Sequence, residues 1–217
     1  IYGGKGWIGL MVSKLLTESG HKVMHGVSRV DDSSELTKEL LAIYADRVLC
    51  FVGRTHGEGV STIDYLEKPG KLTENIRDNL FSPISLALLC NSMGIHMTYL
   101  GTGCIFSDEV PEETDGYDEY SLPNFYGSSY STVKGFTDML MHQLYGVLNV
   151  RIRMPIVGYD NPRNFITKIV GYKKVVNVQN SMSVLHELLP LLIDMSINKR
   201  CGTINLTNPG TISHNEV

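Results

Sequence analysis

The sequence predicts an α/β fold built on a doubly wound parallel sheet, followed by a smaller α/β lobe. Three observations lead there. Short apolar or β-branched runs alternate with stretches of helical spacing. The runs are nearly continuous, as strands covered on both faces require. A glycine-rich turn stands between the first run and the first helix, the position it holds in Rossmann-type folds.

The elements follow in order. Ile1 and Tyr2 read as the end of a first strand, and residues 7–19 as a helix. "KVMHGV" (22–27) is the second strand and 34–44 the second helix. "RVLCFV" (47–52), a helix over 72–93, "HMTYLG" (96–101), a helix over 128–145 and "NVRIRM" (149–154) complete the alternation. Residues 1–154 are therefore expected to form the nucleotide-binding domain. Beyond residue 154 the elements shorten: "KVVNV" (174–178) as a strand, a helix near 183–198 and "TINLT" (203–207) as a strand. Residues 155–217 are assigned to part of a substrate lobe. Both ends are expected to be cut. Only two residues precede the first glycine, and the closing "SHNEV" reads as a helix start, with Ser213 as N-cap and Glu216 three residues on. The acidic loop 107–127 is expected to be a solvated excursion.

Composition narrows the function. The 217 residues are 42% hydrophobic and 19% charged, an ordinary globular mix. A net charge of -4 and the lack of a basic stripe argue against nucleic acid as a partner. No run of about 18 apolar residues occurs, so no membrane span is expected. Cys50, Cys90, Cys104 and Cys201 lie far apart without metal-ligand spacing, which points to reduced thiols in the cytosol and no metal site.

The turn "IYGGKGWIG" spaces Gly3, Gly6 and Gly9 three apart before a helix. Such glycines allow a tight turn and let pyrophosphate approach the helix N-terminus. A plain βα turn is the bland alternative. The second strand ends "GVSRVDD", with Arg29 ahead of the acids. An Arg there suits the 2′-phosphate of NADP, whereas a surface pair with Asp31 or Asp32 is the competing reading. NADPH is the expected cofactor, with NADH as the alternative. "SSYSTVKG" sets Tyr130 and Lys134 four apart on one helical face, where an ammonium would favour phenolate and make Tyr130 a usable proton donor.

These residues together resemble the extended short-chain dehydrogenase/reductase superfamily. The set is the Gly3–Gly6–Gly9 turn, "FVGRTHG", Asn79, Thr102 and the Tyr130–Lys134 pair. The blocks "TGCIF", "PNFYGSSYSTVK", "RIRMPI", "NPRNFITK", "VVNVQNSMSVLHELLP" and "NLTNPGTISHNE" are similar to UDP-4-keto-6-deoxyglucose 3,5-epimerase/4-reductases. That family includes the C-terminal half of plant UDP-rhamnose synthases. The resemblance runs from Gly3 to Val217. It implies inversion at carbons 3 and 5 of a UDP-4-keto-6-deoxy sugar, then NADPH-dependent reduction of the 4-ketone to UDP-β-L-rhamnose. Reduction alone, as in dTDP-4-dehydrorhamnose reductases, and a non-catalytic nucleotide-binding relative are the competing readings. One departure stands out: Cys50 and Phe51 replace the Asn and Ala usual in relatives.

The resemblance also implies roles. Gly3, Gly6, Trp7, Ile8, Arg29, Val52, Gly53, Tyr130, Lys134 and Pro155 would line the cofactor. Thr102 and Tyr130 would hold the ketone oxygen, and Lys134 would orient the cofactor and hold down the Tyr130 pKa. A thiol titrates near enough to neutrality to act as a base, so Cys104, just past a strand end, is expected to take the protons next to the ketone. The opposing acid would be Lys168 in "NFITK" or Tyr159 in "GYDN". Asn164 and Arg163 would meet the nucleotide-sugar phosphates. A homodimer through helices 72–93 and 128–145 is expected.

Overall fold

The computed structural model describes residues 1–110 and 116–217. Most of the acidic loop is described, but its tip, 111–115, lies outside these residues. A parallel sheet forms the centre, in the order β1 (Arg47–Cys50), β2 (His96–Thr102), β3 (Val147–Ile152) and β7 (Gly202–Asn205). Helices α1 (Trp7–Glu18), α2 (Ser33–Ile43), α3 (Leu72–Ile76), α4 (Ser82–Ser92), α5 (Ser129–Gln143), α6 (Phe165–Val170) and α7 (Leu185–Ile197) alternate with it. Two short ladders lie outside the main sheet. β4 (Pro155–Ile156) runs parallel to β6 (Ser183–Val184), and β5 (Gln179–Asn180) runs antiparallel to β8 (Ile212–Ser213).

The sheet separates two cores, as a doubly wound fold requires. On one face Val48, Cys50, Met97 and Tyr99 pack with Leu36, Leu40, Leu86 and Met141, from α2, α4 and α5. On the other, Leu49, Leu148, Val150 and Ile152 pack with Val12, Leu16, Leu185, Leu189 and Leu192, from α1 and α7. The alternation along β1 follows the period of two that sends neighbouring side chains to opposite faces.

Two expected strands differ. Residues 22–27 form no ladder. The Gly26 N–H donates to the Ile1 carbonyl at 2.9 Å, and Tyr2 pairs with Cys50 in a single parallel bridge. The strand expected at 174–178 is displaced to β5: Val175 and Val176 are exposed and face no partner strand. The closing "SHNEV" forms a turn. It keeps half of the capping box, with the Ser213 N–H donating to Glu216 Oε2 at 2.8 Å.

The helix expected over 72–93 contains a π-helical turn at Arg77–Phe81, between α3 and α4. Its cause is legible. Pro83 has no N–H, so the Asn79 carbonyl four residues earlier has no helical donor. Thr137 of α5 supplies one instead, its hydroxyl donating to that carbonyl at 2.6 Å. The wider turn then aims the Asn79 side chain out of the helix, towards the loop after β1.

Candidate active site

Four segments meet at the C-terminal edge of the sheet, where open α/β folds bind ligands. They are the glycine turn, the loop after β1, the end of β2 and the first turns of α5.

The glycine turn fits a dinucleotide. Gly3 has φ +73°, and a Cβ there would lie 2.5 Å from the Phe51 carbonyl carbon. A Cβ on Gly9 would lie 2.5 Å from the Gly3 carbonyl oxygen. Only glycine satisfies both positions. Gly6 is the N-cap of α1 and brings no side chain to the first-turn N–H groups, and that turn holds no acid. The positive end of a twelve-residue helix therefore faces the turn without a cap, as a pyrophosphate site needs. Trp7 and Ile8 open this helix, and the Trp7 indole N–H donates to the Tyr159 hydroxyl at 3.4 Å. Arg29 is exposed and pairs in bidentate fashion with Asp31, at 2.9 and 2.7 Å. That is the competing surface-pair geometry. A 2′-phosphate would have to take Arg29 from Asp31.

Asn79 fixes the loop carrying Val52 and Gly53. Its Oδ1 accepts the Arg54 N–H at 2.8 Å, and its Nδ2 donates to the Arg54 carbonyl at 2.9 Å. Nδ2 also donates to Asn75 Oδ1 at 2.8 Å, and Asn75 donates to the Ser129 hydroxyl at 2.9 Å. One buried chain of amides thus ties the β1 loop to the start of α5. Glu67 completes the clamp by accepting the N–H groups of Ser129 and Tyr130, at 2.8 and 3.0 Å. An anion at a helix N-terminus is favourable. The sequence offers no local signal for Glu67, which sits 63 residues from Tyr130.

Tyr130 is buried against Tyr65 and Leu66, with Cys104 packed beside them. Its hydroxyl is hydrogen-bonded to Thr102. Burial, and then Cys104, push the Tyr130 pKa above the usual phenol value, while the Thr102 bond pulls it down. Lys134 shares the helix face, but its ammonium donates to the Tyr99 hydroxyl and lies 4.6 Å from that ring's centroid. One expectation changes. In this geometry Lys134 directs its charge at Tyr99 and not at Tyr130. Tyr99, which the sequence shows only as part of a strand, packs with its ring and presents its hydroxyl to Lys134. Burial pushes the Lys134 pKa down to about 8.

Cys104 is half-buried just past β2, and its N–H donates to the Thr102 hydroxyl at 3.1 Å. Arg153 donates to its sulfur at 3.1 Å. Sequence reasoning passed over Arg153, which lay inside the block "RIRMPI" with nothing to distinguish it from Arg151. Cys50 and Cys90 are buried, and burial pushes their thiols up to about 11 and about 12, as inert core cysteines.

The segment after β3 divides the expected residues. Lys168 is half-buried; burial and then Arg163 lower its pKa, and Cys104 acts the other way. The Tyr159 hydroxyl turns to α1, donating to the Met11 sulfur at 3.7 Å. Asn164 is spent on local structure: it accepts the Val157 N–H at 3.3 Å and donates to the carbonyls of Val157 and Tyr159, at 3.0 and 3.1 Å. A phosphate would have to take Asn164 from these bonds. Arg163 reaches the β1 loop, donating to Thr55 at 3.2 Å and to His56 Nε2 at 2.5 Å. A phosphate would have to compete with this bridge for the guanidinium. Pro155 opens β4, next to Met154, whose φ of 43° is left-handed and ends the β3 run.

A cavity of about 280 Å³ opens beside Gly103, Arg153 and Asn180. Another of about 310 Å³ lies at the opposite end of the strands, around Tyr2, Lys22 and Arg47, and holds none of the site residues. Among the described residues, no cluster of His, Cys, Asp or Glu is arranged to hold a metal.

No family model matches the chain. Relatives are clear. Protein L780 of Acanthamoeba polyphaga mimivirus is 54% identical over 220 residues, spanning 100% of this chain and 76% of that one. The crystal structure of the L780 UDP-rhamnose synthase superposes with a TM-score of 0.95 over 99% of this chain and 76% of that one. The Arabidopsis thaliana bifunctional dTDP-4-dehydrorhamnose 3,5-epimerase/reductase is 37% identical over 221 residues, covering 100% of this chain and 72% of that protein. The trifunctional RHM1 of Arabidopsis thaliana is 41% identical over 221 residues, and the chain spans 32% of its length. With the Tyr130–Thr102–Cys104 cluster at the sheet edge and these matches along its whole length, the chain belongs to the family of nucleotide-rhamnose 3,5-epimerase/4-reductases with a Rossmann-type fold.

Proposed function

We propose that the protein converts UDP-4-keto-6-deoxyglucose to UDP-β-L-rhamnose, by epimerisation at carbons 3 and 5 and NADPH-dependent reduction at carbon 4. The observation that carries this reading is Cys104 packed against Tyr130, so that a thiol base and a phenol acid share one pocket. UDP is favoured over dTDP because L780, a UDP-rhamnose synthase, is 54% identical whereas the dTDP-named relative is 37% identical.

The residues divide the work. Thr102 and Tyr130 donate to the ketone oxygen and stabilise negative charge there. The Cys104 thiolate takes the proton beside the ketone, the C–H electron pair becomes the enolate, and the Lys168 ammonium returns a proton on the other face. Cysteine is left protonated and lysine neutral, and solvent resets both. The uncapped α1 terminus would hold NADPH, which would supply the hydride for the second step, and Tyr130 gives its proton to the alkoxide oxygen. Within residues 155–217, which the sequence assigned whole to a substrate lobe, α7 and β7 belong to the central sheet and its core, so the short segments around β4, α6, β5 and β8 act as the substrate-binding part in this reading.

The protein is further proposed to be a cytosolic homodimer. Its cysteines are all unpaired, which suits a reducing compartment. No helix among the described residues is long and apolar enough to cross a membrane. Exposed apolar residues on α3, α4 and α5 support the dimer.

Cys104→Ser tests the central claim. Full-length variant protein with NADPH and UDP-4-keto-6-deoxyglucose should form no UDP-rhamnose by NMR, yet still reduce the already epimerised ketone. Formation of UDP-rhamnose at the wild-type rate would remove Cys104 from the mechanism and leave a reductase that needs another base.

A further inference from the structure

We propose that Arg153 is the positioning residue of the epimerase half of the site: its guanidinium aims the Cys104 sulfur at the substrate and favours the thiolate. The proposal rests on the reading of Cys104 as the base, and it goes beyond that reading by naming what makes the thiol a base.

The guanidinium is held in place. Nε and Nη2 both donate to Asn180 Oδ1, at 3.1 and 2.7 Å, and Nη1 donates to Cys104 Sγ at 3.1 Å. The planar fork of Arg meets two partners at once, which the single ammonium of a lysine would not reproduce. Its backbone is pinned as well. The Arg153 N–H donates to the Ser183 hydroxyl at 3.0 Å, and its carbonyl accepts the Ser183 N–H at 2.8 Å. The side chain lies along Gly103, where a Cβ would stand 3.4 Å from Arg153 Cδ.

Arg151 shows what an ordinary structural arginine does two residues earlier. It is buried and paired with Asp138, with Nη2–Oδ2 at 2.7 Å, and it also donates to the carbonyls of Asp118 and Ser121, at 3.1 and 3.3 Å. Its charge is neutralised. Among the described residues, the side-chain partners of Arg153 are Asn180 and Cys104, and neither is a carboxylate. A charged donor to sulfur is satisfied better by a thiolate than by a thiol, because only the thiolate is a full anion.

The test uses full-length protein and three readouts. The first is the rate of iodoacetamide alkylation at Cys104 against pH, followed by mass spectrometry of its peptide. The second is deuterium wash-in at carbons 3 and 5 of UDP-4-keto-6-deoxyglucose in D₂O. The third is NADPH-dependent reduction of the pre-epimerised ketone. In Arg153→Gln, alkylation at pH 7 should slow by about tenfold, as for a lost neighbouring charge, with its pH profile displaced upward. Wash-in should fall by a similar factor, while reduction stays within about twofold of wild type. Asn180→Ala, which keeps the charge but frees the guanidinium, should lower wash-in less, and Arg153→Lys should restore part of it. Unchanged alkylation in an Arg153→Gln protein of wild-type melting temperature would overturn the proposal. Slowed alkylation with unchanged wash-in would support the action of Arg153 on the sulfur while overturning Cys104 as the base. The two failures are therefore separable.

Discussion

Lys134 carries the clearest conflict between stability and function. Its ammonium is buried, and its hydrogen-bond partner is the neutral Tyr99 hydroxyl. Burial lowers its pKa to about 8, and a free lysine titrates near 10.4. The linkage follows from that direction. Between about pH 8 and 10 the unfolded chain binds the proton more tightly, so folding stability rises with pH across that window. Below it both states are charged and the full cost of the buried ammonium remains. Lys134→Met should therefore raise stability at pH 7 by about 1–3 kcal/mol, since it replaces a buried charge with an apolar chain of similar length. The same change should abolish NADPH-dependent reduction. Thermal melts at pH 7 and pH 9.5 measure both effects: the variant should melt higher at pH 7, and the gap should narrow at pH 9.5. A variant that melts lower at both pH values would show that the Tyr99 contact outweighs desolvation. The sequence displayed the Tyr130–Lys134 spacing but not this arrangement, because Tyr99 is 35 residues from Lys134 and reads as one more apolar strand residue.

The helix from 72 to 92 shows how an irregular element serves the site. Pro83 frees the Asn79 carbonyl, Thr137 occupies it, and the wider turn sends the Asn79 amide to both backbone groups of Arg54. That amide holds the loop that would run under the cofactor. Asn79→Ala removes the donor and acceptor used by Arg54 and leaves those groups without their partner. A loss of about 2 kcal/mol is expected in urea unfolding. The KM for NADPH should rise more than kcat falls, because the loop binds the cofactor without taking part in proton transfer. Equal loss in both would place Asn79 in the chemistry instead. Helix length and position were legible in the apolar spacing. The π-helical turn was signalled by Pro83, whose missing N–H is visible in any sequence, but its outcome depended on Thr137, 58 residues from Asn79. The expected strands 22–27 and 174–178 had the right residue types, but whether a run becomes a ladder depends on its pairing, and Val175 and Val176 stay exposed.

In the whole molecule, the architecture was more legible than the site. The alternation of strands and helices, the glycine turn and the two-sided core followed from periodicity and glycine sterics, which are local. Cys104, Thr102, Tyr130 and Lys168 are candidates that motifs nominate. Arg153, Glu67 and Tyr99 were not nominated, since each acts across a long loop, and Asn164 is bonded locally. The remaining feature concerns the outer surface. Leu72, Ile76, Phe81, Leu88, Phe136 and Leu140 are exposed, and all lie on the α3–α4 segment or α5. Exposed apolar residues gathered on neighbouring helices suit an association surface. A twofold pairing would bury the patch against itself. It would also brace α5, the helix that carries Tyr130 and Lys134, so assembly and catalysis would share one element. Phe136 is 49% exposed, so Phe136→Glu costs the folded monomer little. Two such charges brought together across a twofold axis would oppose association. Light scattering at micromolar concentration should give a dimer mass for wild type and a monomer mass for Phe136→Glu, with reductase activity lowered in the variant. A wild-type protein that is already monomeric, or a variant that remains dimeric, would mean that this face is covered by something other than a second copy of itself.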